Sequence, residues 1–298
     1  MSSNRIDLSA LPFPDVLETL DFEAELLACK QDLIARDPEL TDVLAFESEP
    51  LVKLLETFAY RFLLKTAQIN TKAKALMLAY ATGADLDHLA ANRNVYRKTI
   101  IEAQPLANPP VEAVMEADED LRRRVHLEPE SKSAGSAGAY QFWGLGAHGY
   151  VKDIAVDTPK AGFVDIWVQS HIDAIAPQSL LNAVNLALDP NTRRPFTDKV
   201  TVKAAIPFEF SISATLVLFP GPDATVVETS AHKALDKYIT LVNSLGYDVT
   251  RSGIFAALHQ GGVQNVIIHE PIQDIVLNKS RYAKNVSVAL NITEFRDV

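Results

Sequence analysis

The stretch FESEPLVKLLE at residues 46–56 opens a long predicted helix that organises the first part of the chain. Pro50 suits the first helical turn because it has no backbone N–H that would be left unpaired there, and Ser48 or Glu49 can cap the helix. No further Gly or Pro occurs before Gly83, which favours a helix end. The sequence therefore predicts a helix over residues 50–81, about 48 Å long.

Apolar residues recur along this helix at spacings of three or four, a pattern typical of one buried face. Two further helices are predicted nearby, over about residues 21–36 and 85–91, and Asp21 is the expected N-cap of the first. These two helices are too short to cover the whole apolar face of the long helix. The face can be buried within the chain or against helices of a partner protein, and we favour the partner.

The pattern predicts an α+β protein that begins with a helical region and continues with two small mixed α/β units. We divide the chain into an N-terminal helical domain (1–101), a linker (102–117), a helical connector (118–150), a first α+β unit (151–203) and a second α+β unit (204–298). The linker is inferred from its prolines and its lack of a regular apolar period. Strict alternation from Phe208 to Leu218 predicts the clearest half-buried strand, Pro222 is expected to lead a helix, and Ser252 to cap a shorter one.

Composition argues against several classes of function. The formal net charge is −10, from 38 acidic and 28 basic residues, and no segment is basic. We therefore expect no nucleic-acid partner and no direct membrane partner. Cys29 is the only cysteine, which excludes an intrachain disulfide and a thiolate zinc cluster. With no secretory signal or membrane span expected, the chain should fold in a reducing cytoplasm.

Residue groups that suggest chemistry have simpler structural interpretations. The acids Glu116, Asp118, Glu119 and Asp120 could bind a cation, but they lack the spacing of a calcium loop and suit a helix start. Arg122, Arg123 and Arg124 beside them predict an ion-pair-rich surface rather than a phosphate track. The glycines of SAGSAG are not followed by the Lys and Ser/Thr of a phosphate loop, and the histidines show no metal-binding spacing. We predict no catalytic residue, no cofactor, no metal site and no enzyme activity.

Several segments resemble, in order along nearly the whole chain, the baseplate J family of contractile-tailed phages. They include LPFPDVLETLDFEAEL (11–26), FESEPLVKLLETFAYR (46–61), GADLDHLAANRNVYR (83–97), VKDIAVDTPKAGFVDIWV (151–168), LFPGP (218–222) and IFAALHQGGVQNVIIHEPIQDIVLN (254–278). Leu121 departs from the family, in which an aromatic residue is more frequent, but it still supplies an apolar face.

The resemblance implies a baseplate wedge subunit in a virion or in a phage-tail-like bacteriocin of the R-pyocin kind. The implied partners are a second copy of the chain, a baseplate I family wedge protein, the hub and spike, and sheath-initiator proteins. The second α+β unit would link neighbouring wedges, and the linker would act as a hinge during sheath contraction. Partner contacts are expected at Leu51, Leu55, Phe58, Phe62, Ile69, Leu76 and Tyr80.

The residues alone leave two other functions possible. A soluble α+β enzyme with an unrecognised site would be a stable monomer or small oligomer. A helical adaptor outside any tail would use the same long helix to bind a different partner. A native particle of megadalton size would distinguish the baseplate function from both.

Overall fold

The computed structural model describes residues 14–189, 193–221 and 223–294 and confirms the predicted α+β class. The chain divides into two compact units, Met1–Tyr96 and Arg97–Val298. The resemblance over residues 11–13, the helix start expected at Pro222 and the last four residues of the second α+β unit lie outside the described residues.

The first unit is helical, with helices α1 (Phe22–Arg36), α2 (Pro50–Ala75) and α3 (Gly83–Ala91). Two short 3-10 turns, Pro38–Leu40 and Val43–Ala45, connect α1 to α2. The predicted N-cap of α1 is confirmed, because Oδ1 of Asp21 accepts a hydrogen bond from the N–H of Ala24 at 3.1 Å. α1 packs against α2, which carries the buried side chains Val52 and Ala59.

Helix α2 ends at Ala75 rather than at 81, so it is 26 residues long and spans about 39 Å. Beyond that point, the N–H of Leu76 bonds to the carbonyl of Ala73 (3.3 Å) and the N–H of Met77 to that of Lys74 (3.0 Å). Such bonds tighten and end the last turn, although no Gly or Pro marks the place. Gly83 was predicted to end α2; it begins α3 instead, with φ of 54°.

The second unit begins with a hairpin of strands β1 (Thr99–Ile101) and β2 (Val114–Met115). An isolated antiparallel bridge joins Gln104 to Val111 inside this hairpin. The range 102–117, interpreted as a linker, therefore folds back on β1 within the second unit. Helix α4 (Asp118–Leu127) follows where it was predicted, and α5 (Ala137–Gly146) comes after a 3-10 turn.

The first sheet contains β3 (Val151–Lys160), β4 (Phe163–Ser170) and β5 (Lys199–Ala204), with β4 in the centre. β3 and β4 are antiparallel, and Gly162 makes the turn between them with φ of 76°. Helix α6 (Gln178–Leu188) joins β4 to the parallel strand β5. The buried core of this half includes Leu127, Tyr140, Leu145, Ile154, Val164, Ile166, Val168, Leu180, Val184 and Leu188.

The second sheet has β6 (Ile206–Leu218) in the centre, with β7 (Val263–Glu270) antiparallel on one side and β8 (Arg281–Glu294) parallel on the other. Helices α7 (Ala224–Val242) and α8 (Arg251–Leu258) contribute to its core. The predicted alternation is confirmed, because Phe210, Ile212, Ala214, Leu216 and Leu218 are all buried. Thr250 rather than Ser252 caps α8, since its Oγ1 accepts from the N–H of Gly253 at 3.1 Å.

The two halves of the second unit are similar in architecture but not in connectivity. Each places helices on a three-stranded sheet with one antiparallel and one parallel pair. The central strand is the second of its sheet in the first half and the first of its sheet in the second half. The order of elements therefore gives no support for an internal repeat.

Polar contacts join these two halves. The N–H of Leu245 donates to Oδ2 of Asp153 at 2.9 Å, and Nε2 of Gln169 donates to Oδ1 of Asn243 at 2.8 Å. Nζ of Lys279 donates to the carbonyl of Val156 at 2.7 Å. We expect contacts of this number and spread to hold the two halves in one fixed arrangement.

Candidate partner-binding helix and an ion-pair network

Helix α2 buries one face within its own unit. Val52 and Ala59 are buried there, and Leu63 and Asn70 on the same face are half-buried. Asn70 binds the segment before α1 in both directions: the N–H of Glu18 donates to its Oδ1 (3.1 Å), and its Nδ2 donates to the carbonyl of Glu18 (2.8 Å). This inner face is therefore covered by contacts within the first unit.

The predicted stripe lies about 90° around the helix axis from this inner face. Its first members, Leu51 and Leu55, are half-buried, whereas Phe58, Phe62 and Ile69 are 49%, 51% and 60% exposed. Leu76 follows the end of α2 and is 77% exposed; Tyr80, in the turn beyond it, is half-buried. The structure thus brings Phe58, Phe62 and Ile69 together on one uncovered face of α2, and places Leu76 and Tyr80 off the helix.

A second set of exposed apolar side chains was missed by sequence reasoning. Tyr60 and Leu64 are 54% and 44% exposed, one helical turn apart, on the side of α2 away from Phe58 and Phe62. Their i, i+4 spacing is visible in the sequence, but the predicted partner contacts covered only one stripe of the helix. α2 therefore presents apolar side chains on both sides of its buried face.

Uncovered apolar side chains of this size favour association. Burying one fully gives roughly 1.5–3 kcal/mol, and clusters of them on a soluble chain mark sites of protein contact. The face of α2 opposite its buried face carries Arg61, Lys65 and Lys72, so the helix is amphipathic rather than apolar throughout. Its chemistry suits a helical partner.

The acids at the start of α4 have the structural role that the sequence predicted. Asp118, Glu119 and Asp120 occupy the first turn of the helix, where acids stabilise the unpaired N–H groups. Arg122 pairs with Glu119 at 2.6 Å. The described part of the chain contains no group of three or more His, Cys, Asp or Glu side chains placed to hold a metal ion.

A buried ion-pair network surrounds this helix. Nη1 of Arg124 contacts Oε2 of Glu116 at 2.6 Å, and both side chains are buried. Nη2 of Arg97 contacts Oδ1 of Asp118 at 2.7 Å. Nη2 of Arg123 contacts Oδ1 of the buried Asp153 at 2.5 Å and thereby connects α4 to β3. The arginine run predicted as an ion-pair-rich surface is in fact partly internal.

Burial shifts the pKa values of several groups beside this network. Burial, with a smaller effect of Arg124, lowers the pKa of Lys98 to about 7, against an opposing effect of Glu116. Burial also lowers the pKa of Lys152 and of His171, and it raises the pKa of Asp120. Nζ of Lys98 donates to the carbonyl of Leu145, in the last turn of α5, and to the carbonyl of His148, just after that helix. These groups hold β1 and α4 against the first half of the second unit. Their role is therefore structural.

None of the described helices combines the length and hydropathy that a membrane span requires.

Two histidines of the second α+β unit have visible partners. Nε2 of His269 contacts Oγ1 of Thr215 at 2.9 Å. His259 stacks on Phe255, with ring centroids 5.3 Å apart. These contacts are ordinary hydrogen-bonding and packing roles.

Comparison with known proteins agrees with the residue-level resemblance. The model of the Baseplate J-like N-terminal domain family matches residues 47–104, a range that includes all of α2 and α3. Baseplate protein J of Escherichia phage P2 is 46% identical over 283 residues, which cover 93% of this chain and 94% of the phage protein. An identity of this level over nearly the full length of both proteins confirms the resemblance, and the chain belongs to the baseplate J family.

Proposed function

We propose that the chain is a wedge subunit of a contractile-tail baseplate, where it has a structural rather than a catalytic role. The relative from phage P2 is a baseplate protein, which supports a place in the tail baseplate. The observation that carries the wedge proposal is the uncovered face formed by Phe58, Phe62 and Ile69 on α2. An exposed apolar face on a long helix suits a partner helix, and such a helix bundle would hold the wedge together.

The proposed partners are a second copy of the chain and a baseplate I family protein in the helical bundle. The second unit would contact neighbouring wedges, the hub and the sheath-initiating layer. Function in such an assembly depends on interfaces with two arrangements whose balance shifts when the baseplate is triggered. The polar contacts within the second unit favour its movement as one body.

We place the pivot for such a movement at the junction of Tyr96 and Arg97, where the two compact units meet in sequence. The prolines of 102–117 had suggested a hinge there. However, β1 pairs with β2, and the N–H of Glu116 donates to the carbonyl of Lys98 at 2.8 Å. Rotation across 102–117 would break these bonds, whereas rotation at the junction would leave them intact.

The test is co-purification of tagged variants with the wedge partner and with untagged wild-type chain. Phe58→Asp or Phe62→Asp should abolish both associations, because a carboxylate would be desolvated in the helical interface. Gln68→Asp is the matched control, since it adds the same charge at an exposed polar position of α2. Partner binding that survives both phenylalanine substitutions, with normal circular dichroism, would contradict the proposal.

A further inference from the structure

The central strand of the first sheet, β4, carries two aromatic residues on the face away from the core. Successive side chains of a strand point to opposite faces of its sheet. The core-facing set, Val164, Ile166 and Val168, is buried. The alternate set, Phe163, Asp165 and Trp167, is half-buried.

The contacts of Trp167 are closed within the chain. Lys203 of β5 is its register partner, and Nζ of this lysine lies 5.2 Å from the Trp167 ring centroid. The same Nζ contacts Oδ2 of Asp165 at 2.6 Å. The lysine therefore has both an aromatic ring and a carboxylate beside it.

Phe163 lies between two lysines instead. Lys160 of β3 and Lys199 of β5 are its register partners on the two sides, with Nζ atoms 4.0 Å and 5.6 Å from the ring centroid. Both lysines are exposed. Within the described ranges of the chain, neither of them forms an ion pair.

The acids near these lysines have other partners. Oδ1 of Asp157 contacts Nζ of Lys279 at 3.3 Å, and Oδ2 of Asp198 accepts a hydrogen bond from the hydroxyl of Tyr140 at 2.8 Å. The two ammonium groups beside Phe163 are thus left for a carboxylate from outside the chain.

A second phenylalanine lies at the same end of the sheet. Phe196 is 89% exposed. The segment that carries it lies against the turn between β3 and β4: the N–H of Lys199 donates to the carbonyl of Gly162 at 2.7 Å, and a Cβ at Gly162 would lie 3.3 Å from the carbonyl oxygen of Thr197. We call Lys160, Phe163, Phe196 and Lys199 the lysine–phenylalanine surface.

The chemistry of this surface fits an acidic segment of a protein. Carboxylates of such a segment can pair with the two ammonium groups, and an apolar side chain can cover Phe196. A nucleic acid needs bases along a longer track of phosphates, and Asp165 beside this surface would repel it. The formal net charge of −10 makes a second copy the weaker candidate, because like-charged chains repel each other.

We propose that the lysine–phenylalanine surface binds a carboxylate-rich segment of a different protein in the tail baseplate. The inference rests on the proposed function and deepens it, since it adds a partner surface on the second unit. This surface shares no residue with the uncovered face of α2.

The experiment treats purified tail particles with a carbodiimide, which joins an amine to a carboxylate only where the two are in direct contact. Mass spectrometry should find Lys160 or Lys199 joined to an Asp or Glu of another protein. A cross-link to an acid of this same protein, in one copy or between copies, would overturn the proposal. The same conclusion would follow if neither lysine were cross-linked.

Charge variants of the full chain test the same contact by co-purification. Lys160→Glu with Lys199→Glu should reduce the recovery of the cross-linked protein roughly tenfold or more, because attraction becomes repulsion. Lys160→Arg with Lys199→Arg should retain it, since the positive charges remain. Phe196→Ala should weaken it without changing any charge.

Lys233→Glu with Lys237→Glu is the matched control, because it makes the same change at two exposed lysines of α7. This control should retain the partner. Full recovery of the partner with the folded Lys160 and Lys199 charge reversal, or equal loss in the α7 control, would contradict the proposal. None of these variants alters α2, so failure here is distinct from failure of the Phe58 and Phe62 test.

Discussion

The backbone of Gly149 lies directly against the carbonyl group of Thr99. A Cβ at position 149 would overlap the carbonyl oxygen of Thr99 and lie 3.0 Å from its carbonyl carbon. Both obstructing atoms belong to the backbone, so rotation of a side chain cannot relieve the overlap. Glycine at 149 therefore allows β1 to approach the segment that follows α5.

Gly149→Ala should lower the free energy of unfolding by about 1–3 kcal/mol, because the backbone must shift to make room for the methyl group. Urea unfolding followed by circular dichroism measures the change. Gly146→Ala is the matched control: a Cβ there meets nothing within 4 Å, and the residue closes helix α5. The control should be neutral or stabilise by up to about 1 kcal/mol. Equal effects of the two substitutions would show that the close approach is absent.

Asp153 connects three parts of the second unit, since it lies on β3, pairs with Arg123 of α4 and accepts the N–H of Leu245. Asp153→Ala should destabilise the chain by about 2–4 kcal/mol, because it leaves a partly buried guanidinium and a backbone N–H without their acceptor. Thermal unfolding and urea unfolding measure the loss.

Asp157→Ala is its control on the same strand. Asp157 is about half exposed and contacts Nζ of Lys279 at 3.3 Å, so its loss should cost under about 1 kcal/mol. If Asp153→Ala were as mild as Asp157→Ala, Asp153 would not join the halves as described.

Lys98 should make stability rise with pH above neutrality. Its pKa in the folded chain is lowered to about 7, mainly by burial, whereas an unfolded lysine has a pKa of about 10.4. Between these values the unfolded chain binds more protons than the folded chain, so raising the pH favours folding by at most about 1.4 kcal/mol per unit. Below pH 7 both states are protonated and the dependence from Lys98 disappears.

Comparison of the wild type with Lys98→Met isolates this contribution, because all other titrating groups are shared. The free energy of unfolding, measured from pH 6.5 to pH 9.5, should climb more steeply with pH for the wild type. Parallel curves would mean that Lys98 titrates alike in the folded and unfolded chain.

Local signals in the sequence predicted most elements of the fold. The Asp21 cap, the acids at Asp118–Asp120 and the alternation from Phe208 to Leu218 each act within a few residues, so each could be interpreted without tertiary contacts. The predicted end of α2 was wrong by six residues, because the apolar periodicity of the sequence continues beyond the last helical hydrogen bond. The predicted cap of α8 was wrong because Thr and Ser can both cap a helix, and only the backbone decides between Thr250 and Ser252.

The family and the α+β class were determined by the sequence itself, because order and spacing of apolar residues, caps and turns are properties of a single chain. The sequence determined the exposed face of α2 only in part. The repeat of Phe58, Phe62 and Ile69 was visible in the sequence, but the face that packs within the first unit was not. Only the tertiary structure decided that Val52 and Ala59 point inward, that residues 102–117 fold back on β1, and that β8 lies parallel beside β6. These features depend on which distant segments come together, and neither periodicity nor composition specifies such pairings.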